Sequence, residues 1–376
     1  MGFIIFKGYQ HVDNGAVAVT TSKLKGIAHS NSTDPRVGDR VWDSIDLHVP
    51  PQDNGAFFLT TNVIVTKSQT PGTCPSVKGP CEIDSDCAPV ETPYHLGNGV
   101  TTGICNQTTK TCMIRAWCPT EDDSPPIDGD YARLEHTANF TVLIKNHVYF
   151  PYFDVGRSNN LIELVDKAYL SHCRYHPDNH PHCPIFRIGD IVSLSRPTKD
   201  QDAVLDNDAY YRSISRRGAV ISIRIHWDCD LDYNETECKP YYKFQRLDNY
   251  NSNSAPGYNF RYATNYREDG AEKRRLVKAY GIQFILEVEA IARKFSFQQF
   301  ILNIGSSLAL ISVASILSDI VLFNLHKNRK FFKTHVSDSV AVNKRPSNNT
   351  QSNHSTTSLN GNNGFLKDKG QISTVS

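Results

Sequence analysis

Residues 218–228 read GAVISIRIHWD, and their side chains alternate between apolar and polar. Successive side chains of a β-strand point to opposite faces, so a period of two predicts a strand with one buried face. That face would carry Ala219, Ile221, Ile223, Ile225 and Trp227. The same pattern recurs in AFFLTTNVIVT (56–66), NFTVLIKNHVYF (139–150) and YGIQFILEVEA (280–290). We therefore expect a body made mainly of β-strands, with LIELVDKAYL (161–170) as the best helix candidate outside any membrane span.

Ten cysteines and four glycosylation sequons precede residue 239. The cysteines fall into three groups of even number, which is typical of a disulfide framework formed in an oxidising compartment. Zinc sites favour C-x-x-C pairs, and no two cysteines here are that close. Six cysteines lie within 74–118, so their pairing stays open, whereas each later group has one pair. The sequons begin at Asn31, Asn106, Asn139 and Asn234, and they favour the extracellular side.

Residues 295–318 contain no charge and are long enough to cross a membrane. As a helix these 24 residues would extend about 36 Å, against a hydrocarbon core of about 30 Å. The basic flank HKNRK (326–330) then makes the C-terminal side cytoplasmic. Polar residues in the span, such as Gln298, Gln299 and Asn303, are explained either by helix packing or by a pore wall. The tail beyond Lys333 is rich in Ser, Thr and Asn and is expected to be disordered.

The first ten residues, MGFIIFKGYQ, contain an apolar run that is too short for a signal peptide or a membrane helix. Export of the cysteine-bearing region through one C-terminal span would need a leading hydrophobic segment. We therefore expect a hydrophobic segment before Lys7, and the sequence as given looks short at its N-terminus.

The net charge of +1 indicates no particular partner. Individual basic residues are the candidates for binding an anionic ligand. Lys23 and Lys25 are two residues apart, so in a strand they project to one side. Such a pair is either a solvated edge or a site for a shared anion, and the same alternatives apply to Arg261 and Lys278. Spacing alone does not bring these four residues together.

Ten motifs, in order, carry a resemblance to a known family. The chain contains KGYQ, SKLKG, TNVIVT, AWCPTEDD, ANFTVLIKN, CPIFRIGDIV, WDCDLD, PGYNFRYA, LVKAYGIQF and NIGSSLAL. From Lys7 to about Lys330 it resembles the ATP-gated cation channels, the ionotropic purinoceptors. The resemblance implies a homo- or heterotrimer in the lipid bilayer. Each subunit would have two membrane helices, cytoplasmic termini and a disulfide-rich β ectodomain between the helices. Residues 1–9 would then be the outer end of the first membrane helix, most of which this sequence lacks.

The resemblance also implies an ATP site between neighbouring subunits. Its residues would be Lys23, Lys25, Asn259, Arg261 and Lys278 on the phosphates, and Asp166 near the adenine. Ser171 replaces a lysine of several members. ATP would act as a ligand, with Mg²⁺ as an optional companion, and no other cofactor or nucleic acid is expected. The implied disulfides are Cys74–Cys118, Cys81–Cys105, Cys87–Cys112, Cys173–Cys183 and Cys229–Cys238.

If the span lines a pore, helical spacing places Leu302, Ser306, Ala309 and Val313 on one face. Leu302 and Ala309 are expected to form the closed constriction, and Asn303 and Asp319 are further pore candidates. Ser312 stands where many members have a hinge glycine. A juxtamembrane tyrosine-x-x-x-lysine signature reads Phe332 and Val336 here, which predicts fast desensitisation or poor trafficking.

The loop SHCRYHPDNHPHCP holds four histidines, which are either exposed loop residues or a site for zinc or proton modulation. They are His172, His176, His180 and His182. No G-x-x-x-x-G-K-[ST], G-x-S-x-G or H-E-x-x-H motif occurs, so no enzymatic activity is expected.

The predicted fold is a β-sandwich ectodomain (10–294) with a cysteine-rich insertion at about 74–118, a pore-lining helix (295–325) and a tail (326–376). The predicted function is an ATP-gated channel for sodium, potassium and calcium in the plasma membrane, or in an intracellular membrane. The alternatives are a single-pass binding or adhesion protein, a non-conducting short isoform, and an ectoenzyme acting on nucleotides.

Overall fold

The structure is a computed structural model of the chain. It describes residues 7–31, 38–49, 55–88, 95–96, 99–122, 134–159, 169–197, 205–249 and 257–334. The chain divides into two compact units, residues 1–303 and 304–376. The first unit contains every strand and all five disulfides of the described residues.

The larger sheet has nine strands, and four of them pair with the strand Ala271–Phe295 (β15). The order is β13-β12-β15-β5-β8-β7-β6, with β1 and β14 also paired to β15. The bounds are β1 Gln10–Asp13, β5 Ala56–Pro80, β6 His95–Leu96, β7 Gly99–Asn106, β8 Thr111–Cys118, β12 Ala219–Asp230, β13 Pro240–Arg246, β14 Asn259–Glu268 and β15 Ala271–Phe295. β12 runs parallel to β15, and the other pairs are antiparallel.

The smaller sheets complete the body. One has the order β10-β9-β11 with β2 also on β9, and the other pairs β3 with β4. Their bounds are β2 Val17–Lys25, β3 Ile27–Ser30, β4 Arg40–Asp43, β9 Thr141–Phe150, β10 Val155–Ser158 and β11 Ile185–Arg187.

The period-two prediction for residues 218–228 holds for the apolar face of β12. Ile221, Ile223 and Ile225 are fully buried in a core shared with β9. The indole of Trp227 donates a hydrogen bond to Asn146 Oδ1 (2.6 Å) and so links the two larger sheets. Ser222, expected on the polar face, is also buried. It is tolerated there because its hydroxyl donates to Glu287 Oε2 (2.9 Å).

In the described part of the chain the α-helices are α1 Ser44–Leu47, α2 Tyr169–His172, α3 Ile188–Leu194, α4 Asn207–Arg217 and α5 Phe297–Ile320, which continues as a π-helix over Val321–Leu325. Short 3-10 helices cover Asp84–Cys87, Glu135–Asn139 and Glu235–Glu237. The helix expected at 161–170 lies mostly outside the described residues. No helix was predicted at α4. Asp206 caps its N-terminus by accepting a hydrogen bond from the Ala209 amide, and Gly218 caps its C-terminus.

Five disulfides join the pairs that the resemblance implies. Three of them cross-link the outer end of β5 with β7 and β8, where Cys81, Cys87, Cys105 and Cys112 form a small buried cluster of their own. A region without a large apolar core depends on such cross-links for its stability.

One helix among the described residues is long and apolar enough to cross a membrane, Phe297–Leu325. It starts two residues later than expected because β15 continues to Phe295. None of the α5 side chains is buried by this chain. An apolar helix with no buried face needs lipid or other helices around it.

Candidate functional site

The two lysines of SKLKG lie at the end of β2, beside β9. Lys23 pairs with Leu143 and Lys25 pairs with Thr141 in the antiparallel register. Their side chains therefore share one face, as their spacing predicts. Both line a cavity of about 540 Å³ that also contains Lys145 and Arg174. Four cationic side chains around one cavity would attract a polyanion.

Three of the cavity's side chains belong to β9 and were missed as site residues. Thr141, Leu143 and Lys145 line the cavity, and they alternate with the fully buried Val142 and Ile144. The available signal was the alternation in NFTVLIKN, which puts the odd-numbered residues opposite the core. The remaining lining residues are Leu170, Ser171 and Ile185. Asp166, the expected adenine contact, lies outside the described residues.

A second basic group lies on the hairpin of β14 and β15. Arg261 and Lys278 are direct cross-strand partners, and Asn259 is paired with Tyr280 two residues along. Facing cations on neighbouring strands repel one another unless an anion neutralises them. Lys278 is only 7% exposed, and its ammonium lies 5.0 Å from the centre of the Tyr280 ring. The hairpin turns at Asp269 and Gly270, both with positive φ.

Arg261 is held by an acidic residue that the sequence analysis did not name. Its Nε donates to Glu121 Oε2 at 2.7 Å. The Glu121 side chain is 3% exposed, against 41% for Arg261. The second carboxylate oxygen, Oε1, is buried, and no described residue forms a hydrogen bond with it. Glu121 belongs to AWCPTEDD, so membership of that motif was the only signal for it.

Within the described residues, the two basic groups lie on different sheets. Lys23 and Lys25 are on the four-stranded sheet, and Arg261 and Lys278 are on the nine-stranded sheet. Within the described part of the chain, the side chains that line the 540 Å³ cavity include none from β14 or β15. One chain therefore carries two separate basic half-sites.

The predicted pore residues lie on α5. Leu302 and Val313 are 58% and 51% exposed, and Ser306, Ala309 and Asp319 are also exposed. The Asn303 amide donates to the Gly8 carbonyl at 2.5 Å, so this side chain is engaged at the start of the helix. The Ser312 hydroxyl donates to the Leu308 carbonyl (3.2 Å).

Of the degraded juxtamembrane signature, only the first residue is described. The Phe332 ring packs edge-on against His326, with centroids 5.4 Å apart. Val336 lies outside the described residues.

The four loop histidines engage different partners. His180 Nδ1 bonds to the Tyr169 hydroxyl (3.1 Å), His182 Nδ1 to the Pro240 carbonyl (2.9 Å), and His172 Nδ1 to the Ser171 hydroxyl (2.7 Å). His176 bridges to His180 through the backbone. Among the described residues, the only convergent group of three metal-ligating side chains is Cys81, Cys87 and Cys105, which are all in disulfides. Among the described residues, the four histidines do not form a group of three converging ligand atoms.

All four sequon asparagines are among the described residues. Asn31, Asn139 and Asn234 are exposed and Asn106 is half-buried. Asn139 Oδ1 accepts from both Nε (3.2 Å) and Nη2 (2.7 Å) of Arg187. Because these bonds use the oxygen, the amide nitrogen that a glycan would modify is not involved in them.

A disulfide-linked β body that continues into one apolar helix, with two basic half-sites, defines a membrane receptor for an anionic ligand. Comparison with known proteins identifies the family, because the sequence pattern of the ATP P2X receptor matches residues 1–339. The chain belongs to the P2X receptor family and is an ATP-gated cation channel subunit. The family consists of ligand-gated channels of the plasma membrane with an extracellular domain, not of enzymes.

Individual relatives agree in sequence and in fold. The chain is 40% identical to human P2X purinoceptor 5 over 341 residues (88% of this chain, 72% of that protein). It is 37% identical to bovine P2X purinoceptor 4 over 340 residues (88% and 83%). The crystal structure of a Gulf Coast tick P2X receptor with ATP and Zn²⁺ matches with a TM-score of 0.73 and 40% identity (85% and 96%). That of chicken P2X7 with the competitive antagonist TNP-ATP matches with a TM-score of 0.72 and 33% identity (86% and 95%). The P2X receptors of known structure are trimers.

Proposed function

We propose that this chain binds extracellular ATP between neighbouring subunits of a trimer and opens a pore for sodium, potassium and calcium. The observation that carries the proposal is the separation of the two half-sites. Lys23 and Lys25 surround a cavity on one sheet, while Arg261 and Lys278 face each other on another. A half-site on each of two surfaces suits a head-to-tail interface, in which different patches of identical subunits meet.

The triphosphate would bring negative charge to both basic groups. Lys23 and Lys25 act as point charges, and Arg261 provides a planar guanidinium for paired hydrogen bonds to phosphate oxygens. Asn259 adds a neutral donor, and Asp166 is assigned to the adenine. Mg²⁺ would enter with the phosphates.

The gate and the domain division remain proposals of the same kind. Three copies of Leu302 and Ala309 form rings that exclude water when the helices are close, with a ring of Ser306 between them. Asn303, Val313 and Asp319 complete the pore assignment. Residues 10–294 form the extracellular domain with its insertion at 74–118, 295–325 the pore helix and 326–376 the cytoplasmic tail. Residues 1–9 are assigned to the outer end of a first membrane helix, and Asn31, Asn106, Asn139 and Asn234 to N-glycans.

Mixing two variants with weakened ATP binding tests the shared site. Lys23→Ala and Lys278→Ala each damage every site of a homotrimer, but on different half-sites. If the site spans two subunits, equal co-expression restores roughly a quarter of the interfaces, because the two intact halves meet at that frequency. Labelled ATP binding to membranes measures the recovery. If the two halves belong to one chain, the mixture binds no better than either variant alone, and the proposal is wrong.

A further inference from the structure

Four segments of the chain meet where β15 ends. The N-terminal strand β1 (Gln10–Asp13) pairs with the end of β15, with Gln10 opposite Phe295. The end of β12 joins the same place, because the Leu231 amide donates to the Arg293 carbonyl at 2.7 Å. The first turns of α5 are the fourth segment: the Ser296 amide donates to the Tyr9 carbonyl at 3.1 Å.

Gln10 lies at the centre of this junction and is 4% exposed. Its amide nitrogen donates to Asp230 Oδ1 at 2.8 Å and to Asp232 Oδ2 at 2.6 Å. Two carboxylates this close repel each other unless donors lie between them. The neutral amide supplies one N–H to each, and its own oxygen has no hydrogen-bond partner among the described residues.

The remaining carboxylate oxygens bind the other segments. Asp230 Oδ2 forms an ion pair with Lys7, and Asp232 Oδ1 accepts from the Phe295 amide at 2.6 Å. Each aspartate therefore bonds Gln10 with one oxygen and a second chain segment with the other. Hydrogen bonds to ionised groups are about twice as strong as neutral ones.

The loop that carries the two aspartates is itself fixed. The Cys229–Cys238 disulfide closes it, and Arg293 Nη1 forms an ion pair with Asp228 at 2.5 Å. On the helix side, Asn303 binds the Gly8 carbonyl. The loop, the N-terminal segment and the first turns of α5 thus form one connected group.

We propose that Gln10, Asp230 and Asp232 form a clasp that makes the N-terminal segment and the start of α5 move together with β15. β15 carries Lys278 near its beginning and reaches the clasp at its end. A displacement of this strand on nucleotide binding therefore acts on both segments at once. The inference rests on the proposed function for its trigger, and the three residues are positioning residues because they do not line the nucleotide cavity.

The test places a third carboxyl in the clasp. In Gln10→Glu, the introduced carboxyl faces two aspartates in a buried site, so its pKa rises well above its usual range. Above that pKa the three charges repel and the clasp opens, whereas below it the protonated carboxyl donates a hydrogen bond and the clasp closes. Gln10→Met removes both donors without adding charge, so it should open the clasp at every pH.

Hydrogen exchange of the full chain in detergent measures how readily the clasp opens. At about pH 8, amides of residues 7–13 in Gln10→Glu should exchange about tenfold faster than in wild type, and the difference should shrink at about pH 5.5. Glu237→Gln changes an exposed side chain of the same loop outside the clasp and should exchange like wild type. Equal exchange of Gln10→Glu and wild type at both pH values would overturn the proposal.

Adding ATP tests whether nucleotide binding changes the segments that the clasp joins. In wild type, ATP should change the exchange of residues 293–303; in Gln10→Glu at about pH 8 that change should vanish while labelled ATP still binds within about threefold of the wild-type affinity. Persistence of the change in the variant, or its absence in ATP-bound wild type, contradicts the clasp's role. If wild type does not bind ATP, the proposed function is contradicted instead. The pH-dependent hydrogen exchange of Gln10→Glu without ATP then still tests whether the clasp exists.

Discussion

The Arg261 guanidinium donates to the Glu121 carboxylate at 2.7 Å while lying opposite Lys278 in the β14–β15 register. The residue proposed to bind phosphate is therefore already bound to a buried acid. An incoming phosphate must compete with that acid for the guanidinium, and it meets a negative charge beside the site.

Glu121→Gln should raise the affinity for ATP by about three- to tenfold, because the amide binds a guanidinium more weakly than a carboxylate does and carries no charge. Displacement of labelled ATP from membranes measures the effect. Glu135→Gln, an exposed change in another part of the body, is the control. A lower affinity in Glu121→Gln would mean that Glu121 orients Arg261 for the phosphate and does not compete with it.

Lys23→Ala and Lys278→Ala should each weaken ATP binding roughly ten- to hundredfold, because each removes a charge-assisted hydrogen bond of about 1.5–3 kcal/mol. The dose–response for ATP and displacement of labelled ATP both report the shift. Lys78→Ala, an exposed lysine of the cysteine-rich insertion, should leave affinity unchanged. An ATP dose–response curve for Lys278→Ala that matches wild type would mean that Lys278 on β15 does not bind ATP.

Thr141→Val should weaken ATP binding by about three- to tenfold if the hydroxyl in the cavity bonds the ligand. The change also destroys the Asn139 sequon, so Asn139→Gln, which removes the sequon and keeps the Thr141 hydroxyl, is needed beside it. Thr141→Ser keeps both the hydroxyl and the sequon and should bind like wild type. Equal losses in Thr141→Val and Asn139→Gln would assign the effect to the glycan.

Acid should destabilise the folded chain partly through His226. Burial lowers the pKa of its imidazole, although the carboxylate of Glu289 opposes this shift. The unfolded chain then takes up a proton at about pH 6.5, above the folded pKa, so stability falls as pH drops from about 7 through that window. His226→Gln should flatten thermal stability against pH there, whereas the exposed His29→Gln should not. Parallel curves for wild type and His226→Gln would exclude this contribution.

Gly281→Ala should prevent or strongly impair folding. A Cβ at this position would lie 2.1 Å from the Leu59 carbonyl oxygen, and overpacking of this kind costs about 1–3 kcal/mol or more. Gly72→Ala, whose Cβ would have its nearest neighbour at 3.9 Å, is the matched control. The yield and thermal unfolding of the two variants should differ sharply, and similar values would mean that β5 and β15 can separate locally.

The sequence predicts the strands well because burial of one face imposes a period of two, as in β12. The apolar helix and the disulfide framework are also readable from local composition. Pairings between distant segments are not, because they depend on register. Glu121 and Arg261 are 140 residues apart, and nothing near either one predicts their contact.

The residues that line the cavity could also not be predicted from local sequence alone. Lys23 and Lys25 were identified as a pair, but Thr141 and Leu143 became site residues only through the pairing of β2 with β9. Ser222 was misplaced for a related reason, since the acid that satisfies its hydroxyl is on β15.

The turn at Asp269 and Gly270 decides which side of the sheet Arg261 faces. Glu268 and Ala271 close the hairpin, and every later pair in the ladder, including Arg261 with Lys278, counts from that closure. A strand shifted by one residue presents its opposite face. Loss or gain of a single residue at this distant turn would therefore send the guanidinium to the wrong surface without altering any ligand-binding residue. The hairpin can accept substitutions at its tip, but its length is part of the binding site.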